Sequence, residues 1–266
     1  MSKVGNVALD RLTAGDLSLG VVLRQARSVE TATIMHSAGF DWLFIDLEHN
    51  SMSIETASEL SVGCLNAGIA GIVRVPEFQY WMATRALDGG AQGVVLPHVD
   101  TAEQAREVVR QLRYPPIGRR SISSMQVHVG FEHIPVGELT RQLDKRFLIA
   151  VMLETEEAIE NCEEIAAVDG IDVLMIGGND LCFDMGIPGE VLNPRVIAAF
   201  ERVAAACRTH GRHPGLGGVR TEEELKVYFD KGYRFILAAN DVTMLVNAGK
   251  ARTSGLRALI NETDKS

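Results

Sequence analysis

The chain has 266 residues, 46% of them hydrophobic, with a formal net charge of −9 and a pI near 5.3. That acidity argues against a nucleic-acid binder, which needs a basic stripe, and no apolar stretch approaches the roughly 20 residues needed to span a bilayer. The first residues, Met1-Ser2-Lys3-Val4-Gly5-Asn6, lack the apolar core of a signal peptide, so the expected location is cytoplasmic.

Short apolar, β-branched runs alternate along the chain with longer stretches of helical period. The predicted strands cover residues 19–24, 42–48, 71–75, 93–99, 147–154, 173–177, 214–219 and 235–240. A helix-like segment follows each. Helix starts are marked by Ser53 with Glu55, Thr101 with Glu103, Asn193 with Pro194 at the first helical position, and Thr221 with Glu224 as a capping box. Eight strand–helix units in about 250 residues, with no break in composition, predict an α/β fold: one (β/α)₈ TIM barrel domain over residues 1–266. An open, doubly wound sheet is the alternative. It would use fewer strands and place a glycine-rich phosphate loop after the first, where Arg24-Gln25-Ala26-Arg27 stands instead. The long irregular stretch 114–145 carries Pro115, Pro116, Gly118, Arg119, Arg120 and Ser121-Ile122-Ser123-Ser124, and reads as a functional loop or an interface element. Cys64, Cys162, Cys182 and Cys207 are scattered with no C-x-x-C pair, and read as buried free thiols.

Two apolar runs end in acids, Leu148-Ile149-Ala150-Val151-Met152-Leu153-Glu154 and Val173-Leu174-Met175-Ile176-Gly177-Gly178-Asn179-Asp180. On neighbouring buried parallel strands, such acids emerge at the C-terminal edge of the sheet, where they repel each other unless a cation or proton lies between them. Hard oxygen ligands favour Mg²⁺ or Mn²⁺ over zinc, with Co²⁺ a further candidate. The other reading is that one of the acids caps the helix that follows it.

In a barrel the same mouth receives Asp46, Glu48 and His49 from strand two, Arg74 from strand three, Pro97 and His98 from strand four, and the Leu216-Gly217-Gly218 turn from strand seven. A metal, a cation and a histidine together suit a 2-oxo acid. Its carboxylate and carbonyl meet the metal, Arg74 meets the oxyanion that develops on enolisation, and His49 or a nearby water handles the proton. Blander readings stand beside these: Arg74 as a rim salt bridge, His49 at a helix start, His98 as a packing residue. The six lysines, Lys3, Lys145, Lys226, Lys231, Lys250 and Lys265, all fall away from the predicted mouth. That disfavours a Schiff-base mechanism.

Several segments, in order along nearly the whole chain, carry a specific resemblance. They are Phe40-Asp41-Trp42-Leu43-Phe44-Ile45-Asp46-Leu47-Glu48-His49, Val73-Arg74-Val75-Pro76, Ala86-Leu87-Asp88-Gly89-Gly90-Ala91-Gln92-Gly93, Arg113-Tyr114-Pro115-Pro116, Leu153-Glu154-Thr155, and Ile176-Gly177 with Asp180-Leu181. Together they resemble the HpcH/HpaI aldolase/citrate lyase family. The resemblance implies a class II, divalent-metal-dependent aldolase that cleaves a 4-hydroxy-2-oxo acid to pyruvate, or a close 2-oxo acid, and an aldehyde. It also implies a homo-oligomer, trimeric or hexameric, whose subunits exchange the C-terminal helix. By the same resemblance Glu154 and Asp180 hold the metal, Gly178, Asn179 and Asp180 line the substrate site, Arg74 steadies the enolate, and His49 paired with Asp88 serves the proton transfer. Barrel geometry puts Asp88 away from the mouth, so a neighbouring subunit or an unusual helix path has to bring it in; otherwise it caps the Gly89-Gly90 turn.

The chain departs from well-known members at Met152, where they carry glutamine, at Gly118-Arg119-Arg120-Ser121-Ile122-Ser123-Ser124 in place of a glycine-rich arginine loop, and at Gly177-Gly178-Asn179. Two other functions compete. A citrate-lyase-like acyl-CoA ester lyase would need a basic surface near the mouth, for which Arg119 and Arg120 are the candidates. A non-catalytic barrel that binds an oxo acid would tolerate loss of His49 or the metal acids, which this chain retains.

Overall fold

Runs buried on both faces form parallel strands, because each face needs apolar cover. The computed structural model of the chain, which describes residues 4–263, has eight of them. They are β1 (Ser18–Leu23), β2 (Trp42–Asp46), β3 (Ala70–Arg74), β4 (Gly93–Leu96), β5 (Leu148–Leu153), β6 (Val173–Gly177), β7 (His213–Gly217) and β8 (Phe235–Asn240). Each pairs in parallel with the next and β8 closes on β1, giving a barrel rather than an open sheet. Most predicted strands extend a little beyond the observed ones at the C-terminal end. Glu48, Val75, Val99 and Glu154 lie past the last strand residue, in the loops that form the mouth.

The helices are α1 (Val7–Ala14), α2 (Glu30–Ser37), α3 (Ile54–Ala67), α4 (Tyr80–Asp88), α5 (Ala102–Leu112), α6 (Val136–Arg146), α7 (Glu156–Glu160), α8 (Cys162–Ala166), α9 (Gly178–Asp184), α10 (Pro194–His210), α11 (Glu222–Phe229) and α12 (Asp241–Thr263). Ser53, Asn193 and Thr221 cap their helices as expected, while the box begun by Thr101 closes on Gln104, at the third helical position, rather than on Glu103. The stretch 114–145 is not irregular throughout. Leu139 and Leu143, four apart and buried, anchor α6 among charged neighbours that dilute its periodicity.

Two apolar layers hold the barrel. Inside, Trp42 stacks on Phe235 at 4.2 Å between centroids, in space left by Gly20, where a Cβ would meet the indole at 2.3 Å. Val22, Phe44, Ile72, Val95, Leu148, Met152 and Met175 share this interior, and Ala8 and Leu12 of α1 pack against it. Outside, stripes such as Ala105, Val108, Val109 and Leu112 of α5 seal helices to strands. Each fully buried Val or Leu contributes roughly 1.5–3 kcal/mol. All four cysteines are buried and free. No helix among the described residues is long and apolar enough to cross a membrane.

Candidate active site

The register sets Asp46 directly beside Arg74 at the C-terminal edge of β2 and β3. The carboxylate accepts from Arg74 Nε at 3.0 Å and from Nη2 at 2.8 Å, a bidentate grip between side chains 0% and 8% exposed. Burial alone would raise the Asp46 carboxyl, but the hydrogen bonds and charge of Arg74 outweigh it and hold Asp46 below the usual carboxylate range. Burial likewise works against the guanidinium, and Asp46, Glu48 and Glu154 together keep it charged. The remaining nitrogen, Nη1, lies 2.9 Å from Glu48 Oε2 and 3.8 Å from the sulfur of Met152, and the guanidinium sits 5.2 Å from the centre of the Phe44 ring.

Glu154 leaves β5 almost fully buried, at 3% exposure. It does not cap α7, because Thr155 does so by accepting from the Ala158 N–H. Its carboxylate instead accepts from the His98 N–H at 3.1 Å, and His98 Nδ1 lies 3.3 Å from it. Desolvation, with the neighbouring charge of Asp180 adding to it, pushes Glu154 up to about 7 against the lowering effect of the His98 N–H. His98 also reaches Glu48 at 3.5 Å, so the ring bridges two carboxylates from a backbone held at φ 55°. His49 stands at the rim with its side chain 55% exposed, its N–H directed at Asp46 Oδ1 (3.3 Å) and its Nε2 3.9 Å from Glu48.

A cavity of about 220 Å³ opens at this end. Arg74, His49, Met152, Gly178, Asn179 and Asp180 line it, so most of the residues expected at the mouth do converge. Asp180 is the third residue of α9, exposed, rather than the last of a strand. Asp88 does not join them within the chain. It lines a groove on the outer wall with Ser58, Glu59 and Arg85, and pairs with the buried Arg120 at 2.6 Å. Arg120 is stacked near Tyr114 and Phe147, so half of the basic surface expected for coenzyme A is enclosed. Among the described residues no lysine lines the cavity; Lys3 and Lys265 fall outside them.

The donor set suits a hard divalent cation. Glu154 packs against Gly177, where a Cβ would fall 2.6 Å from Oε1, so the glycine leaves room for the carboxylate at the cavity wall. Among the described residues no three acids, histidines or cysteines cluster as a closed metal cage. Asp180 lines the cavity and Glu154 lies behind Gly177 at its wall, and one or two carboxylates are the donor number Mg²⁺ uses when water and substrate supply the rest. Sequence reasoning assigned no role to Glu48 in holding Arg74, to the bridge made by His98, or to Arg24 at the rim. The signal for the first was present in the Ile45-Asp46-Leu47-Glu48 alternation.

The model of the HpcH/HpaI aldolase/citrate lyase family matches residues 21–248. A 4-hydroxy-4-methyl-2-oxoglutarate aldolase of Hapsidospora irregularis is 38% identical over 245 residues, 90% of each chain. A hydroxypyruvate/pyruvate aldolase of Roseobacter denitrificans is 34% identical, covering 90% of this chain and 93% of its own. Among solved structures, an HpcH/HpaI aldolase from Desulfitobacterium hafniense superposes with a TM-score of 0.89 at 27% identity, covering 95% of this chain and 97% of its own.

Proposed function

Because the chain belongs to the HpcH/HpaI aldolase/citrate lyase family, we propose that it is a class II aldolase that cleaves a 4-hydroxy-2-oxo acid to pyruvate, or a close 2-oxo acid, and a carbonyl compound. The observation that carries this reading is the shared cavity of Arg74 and Asp180, with Glu154 behind Gly177 at its wall. Glu154 and Asp180 would hold Mg²⁺ or Mn²⁺, and Co²⁺ meets the same donors. When bound, the cation supplies Lewis-acid polarisation of the substrate's C2 carbonyl and offsets the carboxylates gathered here.

The chain's own residues do the rest. Arg74, locked by Asp46 and Glu48, presents a fixed positive charge where the C2 oxygen becomes an enolate oxyanion. Gly178 and Asn179, beside Asp180, border the substrate's carboxylate end. His49 takes the proton of the C4 hydroxyl. The C3–C4 bond then breaks, its electron pair passing to C3 as C4 becomes a carbonyl, and protonation at C3 releases the 2-oxo acid.

The subunit acts in a homo-oligomer. Along α12 the side chains of Leu245, Val246, Leu256 and Ile260 are 76%, 45%, 46% and 63% exposed, an apolar helix that a second copy would cover, in a trimer or hexamer with exchanged C-terminal helices. Asp88 would serve His49 only across such a boundary. A cytoplasmic location accords with four free thiols. Pyruvate release from a panel of 4-hydroxy-2-oxo acids, with and without Mn²⁺, tests the reading, and metal-independent or absent release would defeat it.

A further inference from the structure

A chain of contacts runs across four consecutive strand ends at the mouth. Arg74, at the end of β3, is gripped by Asp46 and by Glu48 Oε2, the latter at 2.9 Å. The other oxygen of Glu48 lies 3.5 Å from His98 Nε2, and the opposite ring nitrogen, Nδ1, lies 3.3 Å from Glu154 Oε2. From the loop after β4, His98 thereby reaches forward to the acid that leaves β5 and back past β3 to the acid that leaves β2. It does not line the cavity, so it acts on bound groups through its neighbours.

The local backbone is spent on this bridge. His98 has φ 55°, in the left-handed region that residues with a Cβ rarely adopt. A turn that needed only this conformation is met by glycine. Here the turn aims the His98 N–H at Glu154 Oε2, 3.1 Å away, and brings Nδ1 to the same oxygen. The next residue, Val99, donates to the Met152 carbonyl at 3.1 Å and ties the segment to β5.

The two oxygens of Glu154 are thus divided. Oε2 meets the main chain and the ring of His98, while Oε1 faces Gly177, 2.6 Å from where a Cβ would stand. Gly177 ends β6, and Asp180 follows it three residues later. In a residue only 3% exposed, engaging Oε2 leaves Oε1 turned along the cavity wall toward the second acid.

We infer that His98 is a positioning residue for the divalent cation: its ring holds Glu154 in the orientation that receives the metal and, through Glu48, ties that carboxylate to the arginine that meets the enolate. This rests on the metal-dependent reading above and adds a residue to it. A carboxylate already held in place gives up less freedom when a cation binds, and partners that orient a ligand without touching the metal are commonly worth about 10- to 100-fold in affinity.

The test measures Mn²⁺ binding by calorimetry at one pH, without substrate. His98→Gly keeps the N–H that donates to Glu154 and removes the ring alone, and it folds readily because glycine suits this φ. Its Mn²⁺ affinity should fall about 10- to 100-fold. His98→Asn, a residue that tolerates the left-handed region, restores a side-chain donor and should fall between. Parental affinity in His98→Gly overturns the assignment, since the main chain would then suffice. The link to Glu48 has its own arm. Glu48→Gln should weaken Mn²⁺ binding in the parent background and do so less in His98→Gly, where the bridge is already cut; equal effects in both backgrounds overturn the bridge. A parent that binds Mn²⁺ yet releases no pyruvate loses only the aldolase reading. A parent that binds no Mn²⁺ overturns the metal reading and the role of His98 together.

Discussion

Arg74 and Asp46 meet through two hydrogen bonds, 3.0 and 2.8 Å long, at a point where both side chains are buried and adjacent strands are in register. Removing one partner strands the charge of the other. Asp46→Ala should therefore destabilise the barrel by about 3–5 kcal/mol, the usual cost of breaking a buried pair, read as a fall in denaturation midpoint. Arg74→Lys keeps the charge and loses the fork. Its kcat should drop by about two orders of magnitude, as should the exchange of pyruvate methyl protons with solvent. Exchange at the parental rate would make Arg74 a rim residue.

The two acids at the cavity wall predict a metal-linked stability. Mn²⁺ should raise the Tm of the parent, because a ligand that binds only the folded chain stabilises it, and chelation should reverse the gain. Glu154→Ala and Asp180→Ala should fold yet show no such rise. Since Glu154 is pushed up to about 7, in the metal-free protein it favours folding below its ordinary value, and that contribution is lost as pH rises through 7. Metal competes with the same proton. The Tm gain from Mn²⁺ should accordingly grow between pH 5.5 and pH 8, and a gain independent of pH would contradict the role of Glu154.

Acid sensitivity has a second source, away from the mouth. His128 is buried against Phe147 with Nε2 2.9 Å from the Ala91 carbonyl, and burial pushes it down to about 4. A base depressed on folding contributes its full stability above 6.5 and loses it as pH falls from there toward 4. The loss amounts to about 3 kcal/mol at 1.36 kcal/mol per pH unit. Replacing the ring by Phe should flatten the stability profile between pH 6.5 and 4; an unchanged slope would assign the acid transition to other groups.

Met152 touches both Arg74 and the cavity. A thioether cannot donate a hydrogen bond to a 2-oxo acid, but it offers adaptable apolar volume. Met152→Gln should shift donor preference from 2-oxobutyrate toward pyruvate by ~1 kcal/mol. The ratio of kcat/KM for the two donors measures this, and an unchanged ratio would place the determinant elsewhere in the floor.

The barrel was legible because its strands are buried on both faces and read as continuous apolar runs, and β6 and β8 were bounded correctly to the residue. Strand ends were overrun where the apolar run continues past the regular ladder, as at Val75 and Val99, whose N–H groups still donate to the carbonyls of Val95 and Met152. Glu154 and Arg74 were legible as charges closing such runs. The pairing of Arg74 with Asp46 emerges once register is known, since it joins residues 28 apart. Arg24 could be read only as a departure from a phosphate loop, because its place at the rim depends on the closure of β8 on β1. The destination of Asp88 was hidden for a different reason: its partner Arg120 lies in the 114–145 stretch, whose path is set by tertiary stacking on Tyr114 and Phe147 rather than by local periodicity.

Asp241 gives the last helix mechanical leverage over the mouth. It is the first residue of α12, a helix of 23 residues that at 1.5 Å per residue is a lever of roughly 35 Å. The fulcrum is the carboxylate that gathers the backbone of residues 24–26. A displacement of the first turn of α12 would bear on the backbone of residues 24–26 through these hydrogen bonds. The contacts of the last helix and the backbone at the start of the β1 loop are thus held by one carboxylate.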